Sequence, residues 1–370
     1  MNSEIPSLNK SKLYFPQLDS IRGMSFIAIF LYHTLRIAGK QFFLSDFIHY
    51  LFTNLPLAID VFFILSSFLL TWLGLSEYKK RNNFSFKNYF TRRILRIWPL
   101  YFFILFLAFL IFPIIAGLFH FEMSLPNAWY YVFFIANFYT VEHVFFLKFL
   151  WTISVEEQFY LLWGLCLRFF YKKLLLIIAI LMLTSILFSV YTINAHFGNY
   201  FNTLTYLFDF SSGGLAAILI FRKDRIIHWL GNLSRLGSVA FYSYLLFHFI
   251  LLYFLNNNTT GVANDLTALI SRYLFIIYIA LFISEQMVNN SRTRIFEKNR
   301  FLIFTGKLSY GLYCFHGITI TFTNLLLARF EISNWILVII YFSINYLIAS
   351  ISYFYLETPF LKLKAKWRRV

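Results

Sequence analysis

Charge is what this sequence has least of. Asp, Glu, Lys and Arg make up 13% of its 370 residues against 60% hydrophobic ones, with 50 Phe and 25 Tyr among the latter. That leaves too little polar surface to coat a soluble globule of this length. Acidic residues are the scarcer sign, 16 against 32 Lys and Arg. Cysteine is scarce too: Cys166 and Cys314 both fall inside apolar runs, which excludes a disulfide framework and a thiolate metal cluster. No metal is expected. The opening MNSEIPSLNKSKLYFPQ lacks an apolar core followed by a small-residue cleavage site, so the first apolar segment is expected to stay as an anchor. No soluble appendage is expected after the last one, and residues 1–370 read as one membrane domain.

What the sequence does have is apolar runs of crossing length. A helix needs roughly 20 residues to span the hydrocarbon layer. Ten stretches qualify: 19–37, 52–73, 95–115, 149–170, 174–193, 203–221, 237–255, 269–288, 308–328 and 334–356. The stretch 126–141 is apolar and aromatic but short, and reads as interfacial or re-entrant. The expected fold is therefore an all-α polytopic transmembrane bundle of about ten spans. If the N-terminus is cytoplasmic, the inner segments carry 26 of the 32 Lys and Arg. The outer side keeps only Arg36, Lys40, Lys148, Arg272 and Arg329, with Arg22 inside the first run. Positive charge gathers on the cytoplasmic side, so both termini are expected there. An odd number of spans would scatter these charges. The net charge of +16 thus reflects topology, and nucleic-acid binding is excluded because no soluble domain presents the basic residues.

Two ionisable residues stand out on the first run, FPQLDSIRGMSFIAIFLYHTL: Arg22 and His33. Ionisable side chains inside a membrane segment point to function. Eleven steps of helix separate them by about 16.5 Å, which puts Arg22 near the inner face and His33 near the outer one. A guanidinium suits an anion, and an imidazole suits proton transfer near neutral pH.

Seven segments then follow in a fixed order: LDSIRG with the Arg-x10-His spacing, AIDVFFILSSFLLT, NYFTRRILRIWPLYF, LWTISVEEQFYLLW, LFDFSSGGLAA, KLSYGLYCFHG and YLETPF. As an ordered set, over about 13–363, they resemble the acyltransferase 3 family. That family consists of integral membrane enzymes that move acyl groups, commonly acetyl from acetyl-CoA, onto glycans and other acceptors. The resemblance implies that His33 is a catalytic base. Asp60 and Glu156 both enter their helices from the outer side, and either could orient the imidazole or pair with a buried Arg. Glu156 holds the acidic position of its motif, and Glu157 points about 100 degrees away on the same helix.

An acyl-CoA donor carries a 3'-phosphate and a pyrophosphate, and Arg22 with Arg92, Arg93 and Arg96 offers a site for them. A pantetheine arm is similar in length to the Arg22–His33 rise. His316 and Asp209, with Trp151 at the head of its motif, are the candidates for contact with the acceptor. The pattern Tyr242-x5-His248 echoes Tyr310-x5-His316.

The sequence departs from the family's pattern at Ser20 and Ser67, where glycine is frequent. It also departs at Tyr206, where a basic residue often precedes the acid of LFDFSSGG by three. The last change puts an acceptor-binding role for that helix in question. The hydrolase-like domain that some members carry after the membrane unit is not expected, so transfer would finish inside the bundle or at its outer mouth. The expectation is an O-acetyltransferase of a bacterial inner membrane, acting on a surface polysaccharide such as lipopolysaccharide O-antigen. The competing class is a glycan or lipid transporter using the same polar residues. Such proteins often show internal repeats, and none is found beyond the Tyr-x5-His echo.

Overall fold

The computed structural model describes residues 14–38, 46–118, 120, 123–139, 145–195, 200–258, 261–288, 295–327 and 329–367. Lys10, Lys12, Lys40, Arg292, Arg294, Arg368 and Arg369, which entered the charge count, lie outside them. Among the described residues all regular structure is helical. Ten long helices occupy the ten expected ranges: α1 (Pro16–Ala38), α2 (Ala58–Arg81), α3 (Phe86–Phe106), α4 (Trp151–Phe169), α5 (Leu174–Ala195), α6 (Leu207–Arg222), α7 (Arg235–Asn258), α8 (Val262–Val288), α9 (Arg300–Leu327) and α10 (Asn334–Ser352). As far as residue 139, the stretch 126–141 holds only a short helix, Ala128–Val132, and a 3-10 turn, Ala136–Phe138.

Local chemistry sets the ends. The side chain of Ser85 caps α3 by accepting from the Asn88 N–H, which satisfies a donor that the first turn would leave orphaned. α2 and α6 stop where Asn82 (φ 52°) and Lys223 (φ 55°) turn left-handed, as helix C-termini commonly do. α3 continues through a π-helical turn, Leu107–Ile111, into Phe112–Leu118; α10 continues through another, Tyr353–Glu357, into Thr358–Ala365.

Seven helical stretches are long and apolar enough to cross a membrane: Asp46–Arg81, Phe86–Leu118, Tyr171–Ile193, Thr203–Arg222, Arg235–Asn256, Val262–Val288 and Asn334–Ala365. The three long helices outside this set are α1, α4 and α9, and their polarity has a visible cause. They carry Arg22 and His33, Glu156 and Glu157, and Lys307 and His316. Polar groups point inward throughout. Asp60, Glu77, Arg92, Glu157, Asp209, Glu285 and His316 are buried, while Leu236, Phe247, Leu326 and Tyr355 are exposed. This is the partition expected when the surrounding solvent is hydrocarbon.

Two backbone contacts fix the centre of the bundle. A Cβ on Gly306 of α9 would stand 1.8 Å from the Asp19 carbonyl oxygen on α1, and one on Gly213 of α6 would stand 2.1 Å from that of Ile64 on α2. Only glycine allows helices to approach so closely. α1 and α9 run in the same direction, since Asp19 meets Gly306 and, farther along, His33 meets His316.

Candidate active site

Between α1, α2, α3, α4 and α9 lies a cavity of about 430 Å³. One face of α2 lines its length, with Ile59, Phe62, Phe63, Ser66, Leu69 and Leu73 at helical spacing. The fourteen steps from Ile59 to Leu73 give a shaft of about 21 Å. Its walls are apolar and aromatic at the Ile59 end, with Phe62, Phe63, Ile153 and Tyr313. At the other end cations converge from separate elements: Arg22 of α1, Arg93 and Arg96 of α3, Lys307 of α9, and Lys364 after α10.

Against these five cations the cavity wall holds two acids, Asp19 and Glu156. Asp19 lies 3.6 Å from Arg22. Glu156 accepts from the Tyr160 hydroxyl at 2.7 Å and from Ser66 Oγ at 3.1 Å. Arg93 lies over the Tyr160 ring, and its Nε is buried with no hydrogen-bond partner among the described residues. Lys307 Nζ sits 5.3 Å from the Tyr14 ring. Burial, and then the neighbouring Asp19, push the Tyr14 phenol above its ordinary range. The chamber therefore presents unmatched positive charge, the electrostatic requirement for binding a polyanion.

The structure divides the expected residues into groups. Arg22, Arg93, Arg96 and Glu156 come together on the cavity wall. Arg92 turns away, donating to the Trp367 carbonyl at 2.9 Å and lying 3.7 Å from Glu77. Trp151 is buried among the rings of Phe63, Tyr200, Phe201 and Tyr206. Lys307 and Lys364 are site residues that sequence reasoning passed over. The first stood in the quoted KLSYG segment and the second in the basic tail, and both were read as topology.

His33 does not line the cavity. Its ring packs 4.4 Å from that of Phe149 and 5.4 Å from that of His316. Tyr313 belongs to both compartments: it lines the cavity, its ring is 5.2 Å from His316, and its hydroxyl donates to the Phe149 carbonyl at 3.1 Å. Among the described residues no carboxylate is hydrogen-bonded to His33. Glu156 is engaged by Tyr160 and Ser66, and Asp60 by an arginine on another helix.

Residues 15–354 match the family described as "Acyltransferase domain". The chain belongs to the acyltransferase 3 family. It is 28% identical over 396 residues to "Putative O-acetyltransferase SACOL0978" of Staphylococcus aureus strain COL, covering 97% of this chain and 60% of that protein. It is also 28% identical over 378 residues to "O-acetyltransferase OatA" of Staphylococcus aureus strain NCTC 8325, covering 95% of this chain and 58% of that one. The chain thus spans about three fifths of the length of these curated relatives. No solved structure matches it.

Within this acyltransferase 3 chain, Asp60 and Asp209 share one partner. Arg272 of α8 grips Asp60 with two nitrogens, Nε to Oδ2 at 3.2 Å and Nη2 to Oδ1 at 3.1 Å. The same Nη2 reaches Asp209 Oδ2 at 2.8 Å. The guanidinium lies over the Tyr206 ring, 5.1 Å from its centroid. The base that the family pattern places three residues before the acid of LFDFSSGG is therefore replaced in space by Arg272, reaching across Tyr206. Arg272 was counted above as an outer charge; it sits ten residues inside α8, with its side chain 17% exposed. Asp209 is fully buried and does not line the cavity.

Proposed function

We propose that this chain is a membrane O-acetyltransferase. It takes acetyl from cytoplasmic acetyl-CoA and places it on a hydroxyl of a cell-surface polysaccharide, with lipopolysaccharide O-antigen the first acceptor to test. In this reading the ten long helices all cross a bacterial inner membrane and both termini are cytoplasmic. The observation that carries the proposal is the cavity: a polycationic mouth and an aromatic shaft whose Tyr313 wall is joined to His33 through the ring of His316. The charges suit the phosphates of an acyl-CoA, and the shaft suits an extended pantetheine arm. The relatives' names, O-acetyltransferases both, support the group transferred.

His33 takes the proton of the acceptor hydroxyl as its oxygen attacks the thioester carbonyl. The new C–O bond forms, the C–S bond breaks, and the thiolate of CoA leaves to be protonated. Glu156, held by Tyr160 and Ser66, stands along the shaft rather than beside His33. Its place is against the donor, and the function of Asp60 is to hold Arg272.

The test is purified protein in liposomes with labelled acetyl-CoA inside and polysaccharide outside. Label on the polysaccharide is expected, falling by on the order of 10²- to 10⁴-fold in His33→Ala while the protein remains inserted, the range that general base catalysis contributes. Near-normal transfer by that variant refutes the base. Movement of unlabelled polysaccharide without acetylation favours a transporter instead.

A further inference from the structure

His316 is the one histidine among the described residues packed ring to ring against His33. It is fully buried, and its Nδ1 lies within hydrogen-bonding distance of the Tyr313 carbonyl oxygen. A carbonyl oxygen can only accept, so Nδ1 carries the proton and Nε2 is left as a bare acceptor. Nε2 is buried and has no hydrogen-bond partner among the described residues. Its neighbour is the His33 ring, 5.4 Å between centroids with 32° between planes, a separation at which two imidazoles can meet edge to edge. Both rings rest on Phe149, at 4.4 Å and 4.2 Å. That arrangement is permitted by Gly317, where a Cβ would stand 2.7 Å from a Phe149 ring carbon. His33 is only partly buried, so one side of its ring stays accessible.

We infer that His316 is the positioning residue for His33: on a small approach of the two rings its unprotonated Nε2 accepts a hydrogen bond from a ring N–H of His33, which leaves the other His33 nitrogen bare for the acceptor hydroxyl. The inference rests on the reading of His33 as the base. It supplies the orienting partner that a general base requires, from an imidazole rather than from a carboxylate. When His33 takes up the hydroxyl proton, the N–H facing His316 remains bonded, and the charge that develops is shared across that hydrogen bond.

The test is the His316→Leu, His316→Gln and His316→Asn series in the liposome assay, with acetyl-CoA binding measured in parallel. Supporting partners of this kind are worth about 10- to 100-fold. His316→Leu is expected to lower kcat by that factor with KM for acetyl-CoA unchanged. The glutamine carbonyl reaches the place of Nε2, so His316→Gln is expected to recover most of the rate; the shorter asparagine, whose oxygen reaches only the place of Nδ1, is not. Wild-type kcat in His316→Leu overturns the inference, and so do equal rates for Gln and Asn, which remain comparable even if the Leu variant fails to accumulate. His33→Ala separates the two claims. Full transfer there removes the base reading and this inference with it, whereas loss there beside a fully active His316→Leu removes only the inference.

Discussion

Two clusters of charge sit inside this bundle, and they differ in saturation. Around Arg272, one cation meets two carboxylates, and the three side chains occupy one another with bonds of 2.8–3.2 Å. Around Arg22, five cations meet two carboxylates, one of which is already bound to a tyrosine and a serine. Both clusters cost desolvation. The first commits its one cation to two carboxylates and ties α2, α6 and α8 together, with Asp209 Oδ1 left without a partner among the described residues; the second leaves positive charge facing an open volume. A cation committed to carboxylates holds a fold, and cations left over await a ligand. Rarity inside a membrane marks both equally, so rarity alone does not tell which is which.

The sharpest way to break this distinction is Arg272→Met. Removing the shared cation leaves two buried carboxylates without it, and breaking such a set costs about 3–5 kcal/mol. Thermal unfolding in detergent is expected to show that loss, and the triple variant with Asp60→Asn and Asp209→Asn is expected to regain much of it. If Arg272→Met keeps its stability and instead raises KM for acetyl-CoA, the two clusters are not different in kind. A smaller effect is expected from Arg96→Gln. Loss of a charge-assisted contact to phosphate should raise KM for acetyl-CoA roughly 10- to 150-fold, in line with about 1.5–3 kcal/mol for hydrogen bonds to charged groups, with the melting temperature almost unmoved. The smallest is Arg92→Gln. This residue belongs to the same RRILR string but bonds Trp367 and Glu77, so KM should stay within about twofold while stability falls by about 1–3 kcal/mol. Equal KM effects at Arg92 and Arg96 would mean that the orientation of the two side chains is not what separates their roles.

The helices and their approximate ranges were legible in the sequence because hydrophobic length is a local property, as were the Arg22 and His33 ends of α1. The division of RRILR into cavity residues and a structural one was not. Positions 92, 93 and 96 project over an arc of about 100° on α3, and which of them faces the cavity depends on neighbours that arrive from α4 and from the C-terminal segment. The partner of Asp60 was equally hidden: Arg272 lies 212 positions away, and the charge count assigned it to the outer side. Tyr206 was visible as a departure from pattern. Its meaning, a ring beneath a guanidinium supplied by another helix, needed the crossing of α6 and α8. Lys307 and Lys364 carried a signal that topology absorbed, since a basic residue near the inner face has a sufficient explanation already.

The contact between Gly306 and the Asp19 carbonyl adds a mechanical fact. Helices that touch backbone to backbone cannot slide past each other without overlap, so the freedom left to α9 against α1 is rotation about that point. His316 stands ten residues, about 15 Å of rise, from the pivot. A swing of roughly 5° therefore carries its ring by about 1.3 Å over that lever arm, enough to make or break a hydrogen bond to His33, while Lys307, beside the pivot on α9, stays still.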